Sequence, residues 1–125
     1  MTVRNVFETF RGIGDYWSPA AVAEANGQLV KVARIKGEFV WHHHEDEDEV
    51  FLILQGVLTI RYRDRADVTL RPGDIHTVPR GVEHCPVCED EVMCVLFEPG
   101  KTAHTGNVVT DMTKSVEAQR AGLTA

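Results

Sequence analysis

Apolar and polar residues alternate through the middle of this chain with a period of two. Leu58, Ile60 and Tyr62 fall on one face, with Thr59, Arg61 and Arg63 on the other. That is the pattern of a strand with a core on one side and water on the other. Similar short runs cover Gln28 to Ile35, Glu38 to His44, Glu49 to Gln55, Asp67 to Leu70, Ile75 to Val78 and Val92 to Phe97. Turn signals separate them: Asn26-Gly27, Lys36-Gly37, Gln55-Gly56, Asp64-Arg65-Ala66, Arg71-Pro72-Gly73-Asp74, Pro79-Arg80-Gly81 and an acidic turn at Glu89 to Glu91. Many short strands with such turns predict an all-β sandwich or barrel.

Helical signals are confined to the ends. Asn5 to Arg11 reads as a short helix. Ser18 to Ala23 reads as another, with Ser18 as cap and Pro19 at the first helical position. Beyond Pro99-Gly100 the chain is polar, with a brief β-like piece at Val108 to Thr110 and a terminal helix around Lys114 to Ala121. The whole reads as one domain, residues 1–125: a barrel core of about 28–98, an N-terminal arm 1–27 and a C-terminal extension 99–125.

Two strands depart from simple alternation. Phe39 and Trp41, and likewise Val50, Leu52 and Leu54, are apolar on the face opposite the polar residues described next. A barrel buries one face by itself, so the outer face is expected to meet another layer or a second copy, and a homodimer is the expected assembly.

Chemistry concentrates between Gly37 and Gly56. His42 and His44 share one face of an extended segment, while His43 takes the other. Glu49 follows five residues after His44 and opens the next strand, and His84 arrives later. Three neutral imidazoles and a carboxylate suit one divalent transition metal ion, Fe(II), Mn(II), Ni(II), Co(II), Zn(II) or Cu(II), and suit Ca²⁺ poorly. The run Glu45-Asp46-Glu47-Asp48 reads as a solvated loop. Val40, Phe51 and Ile53, same-face neighbours of His42 and Glu49, are expected pocket walls. By strand parity Cys88 shares the face of His84, and His76, on the face of Val78, reads as a packed, hydrogen-bonded core histidine with a place near the cavity as the alternative. Arg80 reads as a surface arginine, and Trp41 and His43 as structural or interfacial.

Charge and cysteine content narrow the classes. A net charge of −6 argues against nucleic acid as a partner, which Lys and Arg would have to hold. No apolar run is long enough for a membrane span, and the N-terminus lacks a signal-peptide pattern, so the expected location is the cytoplasm. Cys85, Cys88 and Cys94 read as reduced thiols rather than a disulfide framework.

The order Gly37, His42, His44, Glu49, Gly56, followed by Gly73, Pro79, Gly81, His84, resembles the two motifs of the cupin family, most closely its small single-domain members. Gly37 stands one residue nearer His42 than is common, and Cys88 stands where the second motif has Asn. The resemblance implies a double-stranded β-helix, or jelly-roll, barrel with His42, His44, Glu49 and His84 holding one metal ion. It further implies an enzyme acting on a small oxygenated molecule, of dioxygenase, isomerase, epimerase, lyase or decarboxylase type. The ion would serve as a Lewis acid or an O₂-binding redox centre, and Glu49 could also shuttle a proton. The alternative is a non-catalytic, metal-containing module that binds or senses a small ligand.

Overall fold

The computed structural model describes residues 2–100, 106 and 114–123. Helix α1 (Val6–Gly12) opens the fold where a helix is expected. The Asn5 carboxamide oxygen accepts from Phe7 N at 2.9 Å and Glu8 N at 3.1 Å, satisfying two amides that the first turn leaves unpaired. The helix buries Phe10 against Val22, Val32, Met93 and Val95 on the outer face of the sheet.

Seven strands follow: β1 (Ala20–Ala25), β2 (Gln28–Glu38), β3 (Glu49–Gln55), β4 (Leu58–Tyr62), β5 (Val68–Leu70), β6 (Ile75–Val78) and β7 (His84–Pro99). All pairings are antiparallel, in the order β1-β2-β7-β3-β6, with β4 bridging β7 and β5. β7 is the hub. Its first residues pair with β4, its middle and end with β2, and residues from Met93 to Phe97 with β3. A strand shared in this way bends the sheet around an interior lined by Ile53, Leu58 and Ile60, each fully buried. Burying one such side chain contributes roughly 1.5–3 kcal/mol.

Several expected elements are corrected. Ser18 to Ala23 is not helical, because Ala20 onward forms β1. The Asn26-Gly27 turn, with φ of 53° and 77°, folds β1 back on β2 as a two-residue hairpin. Pairing along β2 overrides the helical preference of an alanine-rich run. Lys36-Gly37 does not end β2: the register shifts between Ile35 and Gly37, so the strand bends and continues to Glu38. Of the expected strand from Glu38 to His44, Glu38 ends β2, paired with Val87, and beyond it only His42 makes a bridge, to His84. Glu89 to Glu91 is no turn either, since these exposed acids lie within the unbroken β7.

At the other end Ser115 caps α2 (Val116–Arg120), its hydroxyl accepting from Ala118 N at 3.0 Å, and a 3₁₀ turn (Ala121–Leu123) follows. This piece packs on β1 and the arm. Lys114 Nζ donates to Pro19 O at 2.8 Å, and Arg120 pairs with Glu24 at 2.5 Å. The β-like piece at Val108 to Thr110 lies outside the described residues.

Candidate metal centre

His42 and His84, far apart in sequence, meet because their backbones form a reciprocal pair. His42 N donates to His84 O at 3.0 Å and His84 N to His42 O at 2.9 Å. Directly paired residues of an antiparallel bridge project to the same side, so the two rings come within 4.3 Å of each other, centre to centre. His44, two residues on, stands 5.1 Å from His42 and 5.8 Å from His84. Glu49 opens β3 beside them, one carboxylate oxygen 3.6 Å from His44 Nε2 and 3.9 Å from His84 Nε2. All four side chains are buried, and one ligand-type atom from each lies within 4.8 Å of the others. His43 points the other way, to Glu45 at 2.9 Å, and the Arg63 guanidinium covers Trp41.

The donor set fits a metal ion by its hydrogen bonding. His42 Nδ1 lies 2.9 Å from Val40 O, and His84 Nδ1 the same distance from Val82 O. A carbonyl can only accept, so Nδ1 carries a proton in both rings, and in the neutral ring the lone pair then falls on Nε2, the tautomer that metal binding needs. Among the described residues the Nε2 atoms of His44 and His84 are buried without a hydrogen-bond partner. Polar atoms in that condition are costly unless something else meets them. Burial pushes His42 down to about 3, with His84 acting in the same direction, so this imidazole is neutral and free to coordinate. Burial alone would raise Glu49. Its contacts with Glu98, His44 and His84 outweigh that and hold it well below the usual carboxylate range, as an anion.

Beside the cluster lies a cavity of about 40 Å³, with His42 and Glu49 in its wall and Trp17, Phe39, Phe51, Pro86 and Leu96 around it. A space of that size holds a few water-sized groups. Trp17 stacks on Phe39 with ring centres 4.5 Å apart. It is held in the left-handed region, φ 59°, by bonds from its amide to Arg34 O and from its indole nitrogen to Lys36 O, both 2.9 Å. Phe39 therefore faces the site and meets His42 edge-on at 5.5 Å, contrary to the expectation that it turns away. Strand parity fails there because 39–48 is irregular.

Of the five expected pocket residues, Phe51 lines this cavity. Val40 contributes its carbonyl to His42, and its side chain is half-buried. Ile53 and Cys88 belong to the interior apolar cluster. His76 is partly buried one layer out, its Nε2 2.7 Å from the Tyr62 hydroxyl, whose ring centre is 6.4 Å from that of His84. Arg80 is not among the described residues lining this cavity. Its amide donates to Asp48 at 2.9 Å and its guanidinium lies 3.5 Å from the same carboxylate, giving one member of the acidic loop a structural role.

Cys85, Cys88 and Cys94 are all free and buried. Burial pushes the Cys85 and Cys88 thiols up to about 11, and that of Cys94 higher still. The thiolate is the reactive form. In the native protein none of the three should therefore react with a thiol reagent such as dithionitrobenzoate within minutes, whereas all three should after denaturation. Rapid labelling of the folded chain would refute this.

Sequence reading missed a second set of buried polar residues. Lys31, Glu98 and Gln119 are each fully buried. Lys31 Nζ lies 2.6 Å from Glu98 Oε1 and donates to Gln119 Oε1 at 2.5 Å. Their signal was parity: Lys31 shares the inward face of β2 with Leu29, Ala33 and Ile35, where a lone charge needs a buried partner.

An antiparallel barrel with three histidines and a glutamate converging in its interior defines a class of metal-site β-barrels. Residues 29–106 match the cupin domain family, and the chain belongs to that family. Over 64 residues it is 38% identical to an uncharacterised protein, YdbB, of Bacillus subtilis (strain 168), a match covering 51% of this chain and 57% of that protein. The chain thus spans little more than half the length of that curated relative. A crystal structure of a cupin-2 domain containing protein from Shewanella frigidimarina superposes with a TM-score of 0.74 at 40% identity, over 78% of this chain and 94% of that one. Hydroquinone 1,2-dioxygenase from Sphingomonas sp. TTNP3 superposes with a TM-score of 0.65 over 76% of this chain and 72% of that one. At 18% identity that likeness speaks for the fold alone.

Proposed function

We propose that the protein is a metal-dependent enzyme acting on a small oxygenated metabolite, with His42, His44, Glu49 and His84 holding one divalent transition metal ion. The observation that carries this reading is the buried cluster of four ligand-type side chains, in which the His44 and His84 Nε2 atoms have no hydrogen-bond partner among the described residues and His42 and Glu49 stand in the wall of a small cavity. When bound, the ion supplies Lewis-acid or redox chemistry to a coordinated oxygen. The chain's own residues orient and exclude. Val40 and Val82 carbonyls fix the His42 and His84 rings, and Trp17 and Phe39 shield the site from water. Glu49 is the group placed to hold or pass a proton at its carboxylate. Among the described residues no lysine or arginine lines the cavity, which favours an uncharged substrate body over a sugar acid or sugar phosphate.

A second reading, a non-catalytic binding or sensing module, is favoured by one observation: among the described residues the cavity wall offers no acid or base beyond His42 and Glu49, apart from the high-lying thiol of Cys94. The proposal also takes the protein to be cytoplasmic and homodimeric. Three free thiols accord with a reducing compartment. Val30, Leu52, Leu54 and Phe97 remain half-buried on the outer face that α1 covers in part, leaving apolar surface for a second copy. Among the described residues no helix is long and apolar enough to cross a membrane.

The test is turnover against uncharged catechols and β-diketones and against sugar acids, with Fe(II) or Mn(II) supplied to metal-free protein. Metal-dependent turnover of an uncharged compound is the expected result. Tight binding of one compound with no turnover across the panel would favour the sensor. Sedimentation at micromolar concentration should show a dimer.

A further inference from the structure

We propose that the buried Glu98–Lys31 pair is a positioning device that holds the Glu49 carboxylate in place for the metal ion, Glu98 being the positioning residue and Lys31 its counter-charge. The inference rests on the metal reading above. Glu98 and Glu49 stand on neighbouring strands: Val50 of β3 pairs with Phe97 of β7, so the next residues, Glu49 and Glu98, face each other inside the barrel. Both carboxyl groups are buried. Glu98 is flanked by two direct partners: the Lys31 ammonium, 2.6 Å from its Oε1, and the Glu49 carboxyl opposite. Lys31 is anchored in turn by Gln119 of α2, whose carboxamide nitrogen donates to Lys114 O at 2.8 Å. A continuous polar path thus runs from the candidate ligand to the C-terminal helix.

Energetics argue against a purely stabilising role. Removing two charges from water costs several kcal/mol per ion, and apolar residues of similar volume often replace such a pair with no loss of stability. An ion pair buried at this depth, in contact with a candidate metal ligand, is better explained by what it does to that ligand. Groups that fix a ligating side chain from behind typically change metal affinity by about 10- to 100-fold when removed.

Two double variants separate positioning from packing. Lys31→Met/Glu98→Leu removes both members of the pair together, so neither is left buried alone, and also removes the polar contact with Glu49. Lys31→Met/Glu98→Gln keeps a polar amide facing Glu49. Should leucine not pack at position 98, methionine, unbranched and adaptable, replaces it. The readouts are Zn(II) affinity by chelator competition and the visible spectrum of the Co(II)-loaded protein, with circular dichroism to confirm folding. The leucine variant is expected to bind Zn(II) about 10- to 100-fold more weakly than wild type, with altered Co(II) bands, and the glutamine variant to recover most of both. Wild-type affinity and spectrum in the leucine variant would overturn the proposal, as would equal losses in the two variants. If the wild-type chain itself binds neither ion, the metal reading fails instead, and the two failures are distinguishable.

Discussion

His84→Ala should reduce bound transition metal from about one ion per chain to a small fraction of that, with affinity falling at least about 100-fold. His84 is fully buried, and its Nε2 has no hydrogen-bond partner among the described residues, as expected of an atom kept for an ion. Elemental analysis of protein purified without chelators or metal-affinity steps checks the content. A linked result follows from mass action. Metal at about 100 times its dissociation constant stabilises a single-site protein by roughly 2.7 kcal/mol. Wild-type chain should therefore melt higher with added Zn(II) than with a chelator, while the variant melts at the same temperature in both. His44→Ala should behave alike. Full metal content in both variants would exclude the proposed ligand set.

The second large effect concerns backbone. Gly56→Ala is expected to destabilise the fold by about 3 kcal/mol or more, read from the midpoint of urea unfolding. Gly56 joins β3 to β4 at φ +86°, a conformation that costs an L-residue roughly 1–2 kcal/mol. A methyl group there would also stand 2.6 Å from Glu91 O and 2.9 Å from a Val92 methyl, so backbone would have to move. Gly73 provides the control. Its φ is +91°, but nothing lies within 4 Å of a methyl group built on it, so Gly73→Ala should show the conformational cost alone. Equal losses at the two positions would show that the close approach of β7 has no energetic weight.

That glycine illustrates what the sequence made legible. The all-β class and the spans of β3, β4 and β6 were readable from period-two alternation and turn signals, and the convergence of His84 with His42, His44 and Glu49 was implied by the resemblance to the cupin motifs. Local parity works wherever a strand is regular. It failed at Phe39, because 39–48 has no ladder to enforce alternation, and at Ser18 to Ala23, where alanine-rich sequence took its conformation from pairing with β2. Trp17 was out of reach, since its left-handed backbone depends on the carbonyls of Arg34 and Lys36. Lys31 and Glu98 were partly in reach: a charge at an inward position of an apolar strand was visible, but not the partner that its ammonium would meet.

β7 carries a consequence for how this chain can change length. His84, Cys88, Val92, Cys94, Leu96 and Glu98 all occupy even positions of one unbroken strand, with His84 at the metal cluster and Glu98 behind Glu49. Inserting or deleting a single residue between them would rotate everything downstream by half a turn, sending Leu96 and Glu98 outward beneath α1 and drawing Val95 and Phe97 inward. Only changes in steps of two preserve the phase, so the strand works as a ruler that keeps its two ends in step.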